Sequence, residues 1–215
     1  MDLSPIINQI VRVMWILIPF TILLVVLKSA WFKGIAGEFL VNLSAKIILD
    51  SKEYHLLKNV ILPTDDGTTQ IDHVIVSKYG IFVIETKNMK GWIYGGQNQK
   101  TWTQKIYKYS NKFQNPLHQN YRHVKTLQTL LGLNDQQIYS VVVFVGDSTF
   151  KTEMPDNVTY GRAYIRYIKS KKQPVFTDSQ ILEILDKIGS ARKGASFKAS
   201  REHVKHVNKI LKEKN

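Results

Sequence analysis

The sequence contains no cysteine, which excludes disulfide bonds and thiolate metal sites and agrees with a reducing compartment. It also contains no internal repeat and no low-complexity tract, and its 215 residues are enough for one ordinary domain with extensions. Acidic residues are few, because 17 Asp and Glu stand against 30 Lys and Arg, a formal net charge of +13. This excess indicates a polyanionic partner or an anionic membrane surface, with general solubility as the alternative explanation.

The segment Ile6 to Leu27 is almost wholly apolar and long enough to cross a bilayer if Arg12 lies among the headgroups. A cleaved signal peptide fits less well, because no basic residue precedes the segment and Lys28 would spoil a cleavage site at Ala30. A buried helix of a soluble domain is the other alternative. Since Lys and Arg only follow the segment, apart from Arg12 within it, we predict a single-pass protein of the cell membrane with its C-terminal domain in the cytoplasm.

The segment 71–87 places charged side chains at the ends of two strands. Two apolar runs flank a short polar turn, a pattern that predicts a buried β-hairpin. Side-chain alternation puts Glu85 and Lys87 on one face of their strand. According to the length of the turn, Asp72 lies opposite one of three residues of the second strand: Glu85, Thr86 or Lys87. Two carboxylates and one ammonium group converge in each of these registers.

Two carboxylates in such proximity repel each other unless a cation lies between them. Oxygen ligands suit Mg²⁺ or Mn²⁺ better than zinc, so the hairpin predicts a site for one of these two ions. A salt-bridge network at the rim of the sheet, without a metal ion, is the alternative interpretation of the same residues.

The rest of the pattern predicts a mixture of helices and strands. Helical spacing of Leu40, Leu43 and Ile47 predicts a helix over residues 34–49 that packs through these side chains. Pro116 in a first helical turn predicts a second helix that continues to Gly132. The other predicted elements are strands at 54–62 and 139–145, a hairpin over 91–104, a strand within 158–168 and a helix at 178–188.

Four motifs occur in order along the chain: Gly37-Glu38, Ile71 to Val76, Gly80 to Asn88, and Asn115-Pro116 with Gln119. This order resembles the PD-(D/E)XK nuclease superfamily and, within it, the nuclease-related domain, over about residues 35–145. Ile71 stands where the superfamily often has proline. The resemblance implies an α/β fold with a restriction-endonuclease-like core, in which helices flank a mixed central sheet, here preceded by one N-terminal transmembrane helix.

The resemblance also implies metal-dependent cleavage of phosphodiester bonds. The metal ion, Mg²⁺ or Mn²⁺, would be bound by Asp72, Glu85 and the backbone carbonyl of Thr86. Lys87 would orient or activate the attacking water and offset the charge of the transition state. Glu38 would support the metal ion, and Gln119 would reach the site from the second helix of the domain. Many nucleases of this fold pair to cut both strands, so a homodimer is compatible with the resemblance.

Basic residues from the second hairpin to the following helix are predicted to bind nucleic acid: Lys100, Lys105, Lys108, Lys112 and Arg122. Aromatic residues interleave with the lysines, as in surfaces that stack bases, although aromatic strands often form core. The histidines are not predicted to act. His73 should pack on the face opposite Asp72, and His118 and His123 are not expected to be ligands.

Taken together, the residues and the resemblance predict a membrane-anchored nuclease that requires Mg²⁺ or Mn²⁺ and hydrolyses nucleic acid, with DNA the expected substrate. The alternative is a non-catalytic membrane-tethered module that keeps the nuclease fold and binds nucleic acid or docks a partner. The predicted organisation is a transmembrane helix at 6–27, the nuclease domain at 35–150, a C-terminal extension of that domain at 151–188 and a basic helical tail at 189–215.

Overall fold

The structure, a computed structural model, describes residues 4–65, 67–192 and 194. It begins with two helices, α1 (Ser4–Lys28) and α2 (Ala30–Ile48). Ser29 separates them, because its backbone is extended and its hydroxyl accepts a hydrogen bond from the Phe32 amide, which caps α2. The stretch Val11–Lys28 has a mean hydropathy of 2.1 and is not buried by the described chain, so it is long and apolar enough to span a membrane. A secretion signal shares these properties.

The strands and helices that follow in the described residues are β1 (Tyr54–Thr64), β2 (Gly67–Ser77), β3 (Gly80–Asn88), β4 (Gly91–Tyr94), β5 (Thr101–Ile106), β6 (Tyr109–Gln114), α3 (Pro116–Leu131), β7 (Ile138–Val145), β8 (Ser148–Phe150), β9 (Val158–Tyr160), α4 (Ala163–Ser170) and α5 (178–192). The predicted α/β fold with a mixed central sheet flanked by helices is confirmed. The predicted division into segments stays a prediction, and most of the predicted basic tail lies outside the described residues.

The central sheet has the strand order β1-β2-β3-β7-β9. Its first three strands are antiparallel, and β7 and β9 run parallel to β3 and to each other. β3 lies in the middle, and residues 81–84 have no exposed surface, because α3 packs on one face of the sheet while α2 and α4 pack on the other. Burial on both faces explains why β3 and β7 are continuously apolar rather than alternating.

The smaller sheet has the order β6-β5-β4-β8 and follows directly from the end of β3. Trp102 is fully buried under it, 6.2 Å from the ring of Phe144 on β7, so one aromatic stack joins the two sheets. Asn115 ties the loop between β4 and β5 to the start of α3, since its side-chain amide donates to the carbonyls of Gly96, Gln97 and Gln99.

The predicted strand within 158–168 is present as β9, and α4 follows it because Tyr164, Ile165 and Ile168 have helical spacing and are buried together. One expectation about the elements was wrong, and it concerns α2, which buries Val41 and Ala45 against the sheet. Its predicted packing residues instead point outward and are largely exposed: Leu40, Leu43 and Ile47.

Candidate active site

Charged side chains converge at the open end of the β2–β3 hairpin. Ser77 pairs with Gly80, so the turn is the two-residue Lys78-Tyr79, and the pairing continues to His73 opposite Ile84. The next residues in this register are Asp72 and Glu85, so of the three predicted registers the one that places Asp72 opposite Glu85 is present. The turn was expected to be longer for this register, because a two-residue turn at Tyr79-Gly80 would bring Asp72 opposite Lys87.

An irregularity in the neighbouring strand frees Asp72. Asn59 has a left-handed backbone (φ 48°), and the β1–β2 pairing skips Asn59 and Asp72. The Asp72 carboxylate turns toward β3, where its Oδ2 accepts a hydrogen bond of 2.9 Å from the Thr86 amide. A break in one strand pair therefore directs an acidic group to the end of the adjacent strand.

Lys87 connects the end of β3 with α3. Its Nζ lies 2.6 Å from Glu85 Oε1 and 2.9 Å from Gln119 Oε1, so it donates to both. The position of α3 is fixed by Asn120, which is fully buried and donates 2.8 Å to the Val83 carbonyl of β3. Asn120 thus holds α3 against β3, and the adjacent residue Gln119 contacts Lys87 through its side-chain amide. The structure therefore places Gln119 beside the hairpin, as the resemblance implies.

The electrostatics of the pair are asymmetric. Burial, followed by the negative charge of Glu85, raises the pKa of Asp72 to about 7. Burial would also raise the pKa of Glu85, but His123 and the Lys87 ammonium outweigh it and hold that pKa below its ordinary value. Glu85 is thus the ionised member of the pair, and Asp72 is the member that a bound cation would most readily deprotonate.

Glu38 reaches the same neighbourhood from α2. The preceding Gly37 is needed for this approach, since a Cβ there would lie 2.9 Å from Asn88 Cβ and from Val145 Cγ2. Burial and then the charge of Glu85 raise the pKa of Glu38. Within the described part of the chain, however, no three His, Asp or Glu side chains form a group that could hold a metal ion.

The donor set nevertheless fits a hard cation. Glu85 is 2% exposed, and its Oε2 makes no hydrogen bond to any described residue. Burying a carboxylate oxygen without a hydrogen bond costs free energy unless a ligand or a cation interacts with it. Two carboxylates with one backbone carbonyl are few ligands, which suits Mg²⁺ or Mn²⁺, because Mg²⁺ keeps several waters and also binds substrate phosphate. Asp72, Glu85 and Thr86 are the residues that would hold it.

His123 belongs to this site, although the sequence analysis set it aside. It is buried on α3, its Nδ1 lies 3.0 Å from Thr69 Oγ1, and its Nε2 lies 3.5 Å from Glu85 Oε2. The signal was available in the sequence, since His123 follows Gln119 by four residues and therefore shares its helical face. His118 instead contacts the Gln97 carbonyl, away from the carboxylates.

His73 lies on the face of β2 opposite Asp72, as expected, and the backbone of Glu38 is among its surroundings. It is fully buried, and burial lowers its pKa to about 4. Neither of its ring nitrogens has a hydrogen-bond partner among the described residues.

The basic residues predicted to bind nucleic acid are all exposed: Lys100, Lys105, Lys108, Lys112 and Arg122. Trp92 lies opposite Lys105 on the outer face of the small sheet, and Lys112 shares this face because it lies opposite Thr103. Lys151 Nζ is 4.8 Å from the centre of the Trp92 ring. The aromatic residues of this region fall into two groups, because Trp102 is buried in the core whereas Trp92 is 46% exposed on the surface.

Comparison with known proteins places this geometry in a family. The sequence model described as the nuclease-related domain matches residues 33–145, more than half of the chain. An uncharacterized protein of Bacillus anthracis is 48% identical over 101 residues, which are 46% of this chain and 47% of that protein. The chain thus spans about half the length of this curated relative. No solved structure matches.

The matched range begins in α2 and ends with β7, so it contains every element that contributes to the carboxylate site. It also contains all four motifs that carry the resemblance. The chain therefore belongs to the nuclease-related domain family, which is placed in the PD-(D/E)XK nuclease superfamily.

Proposed function

We propose that this protein is a membrane-anchored nuclease that uses Mg²⁺ or Mn²⁺ to hydrolyse phosphodiester bonds of DNA. The observation that carries the proposal is the convergence of four side chains from three elements at one end of the central sheet: Asp72, Glu85, Lys87 and Gln119. A salt-bridge network alone would have no need for the second carboxylate.

In this proposal Asp72, Glu85 and the Thr86 carbonyl hold the ion, which when bound polarises a phosphoryl oxygen and lowers the pKa of its water. The Thr86 amide fixes the rotamer of Asp72 through its hydrogen bond. Lys87 is held between Glu85 and Gln119, so its ammonium group has a defined place from which to orient water and offset negative charge on the phosphate.

His123 acts in this proposal as a positioning residue for Glu85. If the Thr69 hydroxyl donates to Nδ1, the ring carries its proton on Nε2 and directs it toward Glu85 Oε2. Lys87 holds the other oxygen of the same carboxylate. Together the two partners set the plane of the Glu85 carboxylate, as residues behind a metal ligand commonly do.

The anchor of the proposed nuclease is α1. Its apolar surface is exposed within the described chain, Lys28 is its last residue, and Lys33 follows five residues later. We propose that α1 spans the cell membrane once and that the domain lies in the cytoplasm, where the excess of basic residues belongs. Exposed aromatic and basic side chains on the small sheet, among them Trp92 and Lys105, would contact the bases and phosphates of the substrate.

The test is cleavage of DNA by the full chain in detergent micelles with Mn²⁺, Mg²⁺ or a chelator. We expect metal-dependent cleavage that Asp72→Asn abolishes and Asp65→Asn, a change in the exposed β1–β2 turn, leaves intact. The same assay with RNA in place of DNA tests which nucleic acid is the substrate. Salt-sensitive binding of DNA without any cleavage by the folded protein would favour the non-catalytic binding module instead.

A further inference from the structure

The outward face of α2 is mostly apolar, and Lys46 near its C-terminal end is an exposed charged residue on it. Its exposed large side chains recur every four residues and so form one stripe, which we call the α2 stripe: Trp31, Ile35, Phe39, Leu43 and Ile47, with Leu40 beside them. Phe39 is 60% exposed and Ile47 71%. A surface helix of a soluble domain normally carries polar residues on this face, whereas α2 also buries apolar residues on the other.

This apolar surface continues beyond the helix. A cleft of about 420 Å³ borders Leu40, Leu43 and Ile47 and is lined on its far side by Tyr160 and Arg162. Both of these residues are exposed. Tyr160 is the last residue of β9, and Arg162 directly precedes α4. The Tyr160 hydroxyl accepts a hydrogen bond from the Phe150 amide, so the charged group beside the cleft is the Arg162 guanidinium. Arg combines an apolar stem with a charged end, which suits the boundary between a bilayer and water.

The structure points to one covering for this surface. The α2 stripe begins three residues after the end of α1, with only Ser29 between the helices, and Lys28 and Lys33 lie at the junction. A bilayer that is spanned by α1 would therefore also be adjacent to the α2 stripe. Lys33 and Lys46 lie near the two ends of this face, and long lysine side chains can reach lipid phosphates while neighbouring apolar side chains enter the acyl region.

We infer that α2 lies on the cytoplasmic surface of the membrane, with the α2 stripe among acyl chains and Arg162 near the phosphates of anionic lipid. This inference rests on the proposed anchoring by α1. It has a consequence for the nuclease site, because Gly37 of the same helix packs against the end of β3. The carboxylate site is then held at a fixed, short distance from the bilayer, on the face of the sheet that α3 covers.

The absence of cysteine allows a direct test, since each introduced cysteine is the single labelling site of the full chain. Nitroxide labels are placed at Phe39→Cys and Ile47→Cys on the stripe, at Leu17→Cys on α1, and at Thr129→Cys, an exposed control position on α3. The protein is reconstituted in vesicles of phosphatidylcholine and phosphatidylglycerol in equal parts. Collision with oxygen, which enters lipid, is compared with collision with a nickel chelate, which does not.

We expect the labels at positions 39 and 47 to collide severalfold more with oxygen than with the chelate, and the label at 129 to show the reverse. Chelate access at 39 and 47 would overturn the inference. Loss of both collisions with dipolar broadening between copies would also overturn it, since a second copy of the chain would then cover the stripe. The label at Leu17 reports the anchor separately: chelate access there with lipid contact at 39 and 47 would reject the anchor and retain the α2 surface.

Discussion

The two ends of the β2–β3 hairpin are built on opposite principles. At the turn end, Val76 and Ile81 lie opposite each other and have no exposed surface, because helices cover both faces of the sheet. At the open end, Asp72 and Glu85 take up the same relative positions, and like charges directly opposite are destabilising. The turn end therefore holds together two groups that would separate in isolation. The comparison teaches that the geometry of the carboxylate site depends on the apolar half of the same hairpin.

The largest expected effect comes from damaging the turn end. Phe82 is fully buried and stacks on Tyr139 with ring centres 5.2 Å apart. Phe82→Ala should lower the free energy of unfolding by about 3–5 kcal/mol through lost burial and the remaining cavity. Urea unfolding in micelles measures this, with Leu182→Ala, an exposed position on α5, expected to change it by less than about 0.5 kcal/mol. An equal loss of unfolding free energy in both variants would contradict the special contribution of the buried turn end.

The corresponding change at the open end should affect activity rather than folding. Lys87→Met removes the ammonium group that contacts Glu85 and Gln119, and we expect cleavage to fall on the order of 10²–10³-fold. Lys90→Met changes an exposed lysine three residues later and is the matched control. Single-turnover cleavage rates give the comparison, and circular dichroism shows that both variants are folded. A full rate for Lys87→Met would mean that water is oriented by another group.

A smaller effect is expected from the residue behind Glu85. His123→Leu removes the group 3.5 Å from Glu85 Oε2 and should weaken Mn²⁺ binding by about 10–100-fold. Calorimetric titration of Mn²⁺ measures this without reference to cleavage. His118→Leu is the control on the same helix, because that ring lies against the Gln97 carbonyl. Unchanged Mn²⁺ affinity in His123→Leu, with the protein folded, would remove His123 from the site.

The sequence predicted the apolar half of the hairpin better than the geometry of its charged half. Continuous apolar runs identify β3 and β7 because burial on both faces leaves no polar position. The register remained open among three choices, because the length of the turn was not fixed by pattern alone. The left-handed backbone of Asn59, which releases Asp72 from the sheet, is an isolated irregularity of β1 with no periodic signal.

The error on α2 has a different cause. Leu40, Leu43 and Ile47 have helical spacing, so the pattern assigned them a protein partner. The sheet instead accepts the smaller residues on the other side of the helix, Gly37 and Ala45 among them, because they allow the helix to approach β3 closely. Periodicity identifies an apolar face but does not say whether protein or lipid covers it. His123 was missed for a related reason, since only the contact with Glu85 distinguishes it from a buried core histidine.

The smallest expected effect is a change in how stability depends on pH, and it also separates the two ends. The pKa of Asp72 in the folded protein, about 7, lies above its value in the unfolded chain. Asp72 therefore contributes stability that is full below about pH 4 and is lost as the pH rises through 7. His73, with a folded pKa of about 4, acts in the opposite sense, because its contribution is present above about pH 6.5 and is lost as the pH falls toward 4.

The two contributions oppose each other between about pH 4 and 6.5, so the parent protein without divalent ions should show a shallow dependence. Asp72→Asn keeps the acceptor for the Thr86 amide but removes the ionisation, and it should become more stabilising as the pH rises, by on the order of 1 kcal/mol because solvent reaches this half-buried group. Urea unfolding in chelator at several pH values measures this, with Asp65→Asn as the control. If the free energy of unfolding depends on pH in the same way for Asp72→Asn and the parent, Asp72 is already ionised in the folded protein without a metal ion. The charged end of the hairpin would then destabilise the fold less than the raised pKa of Asp72 implies.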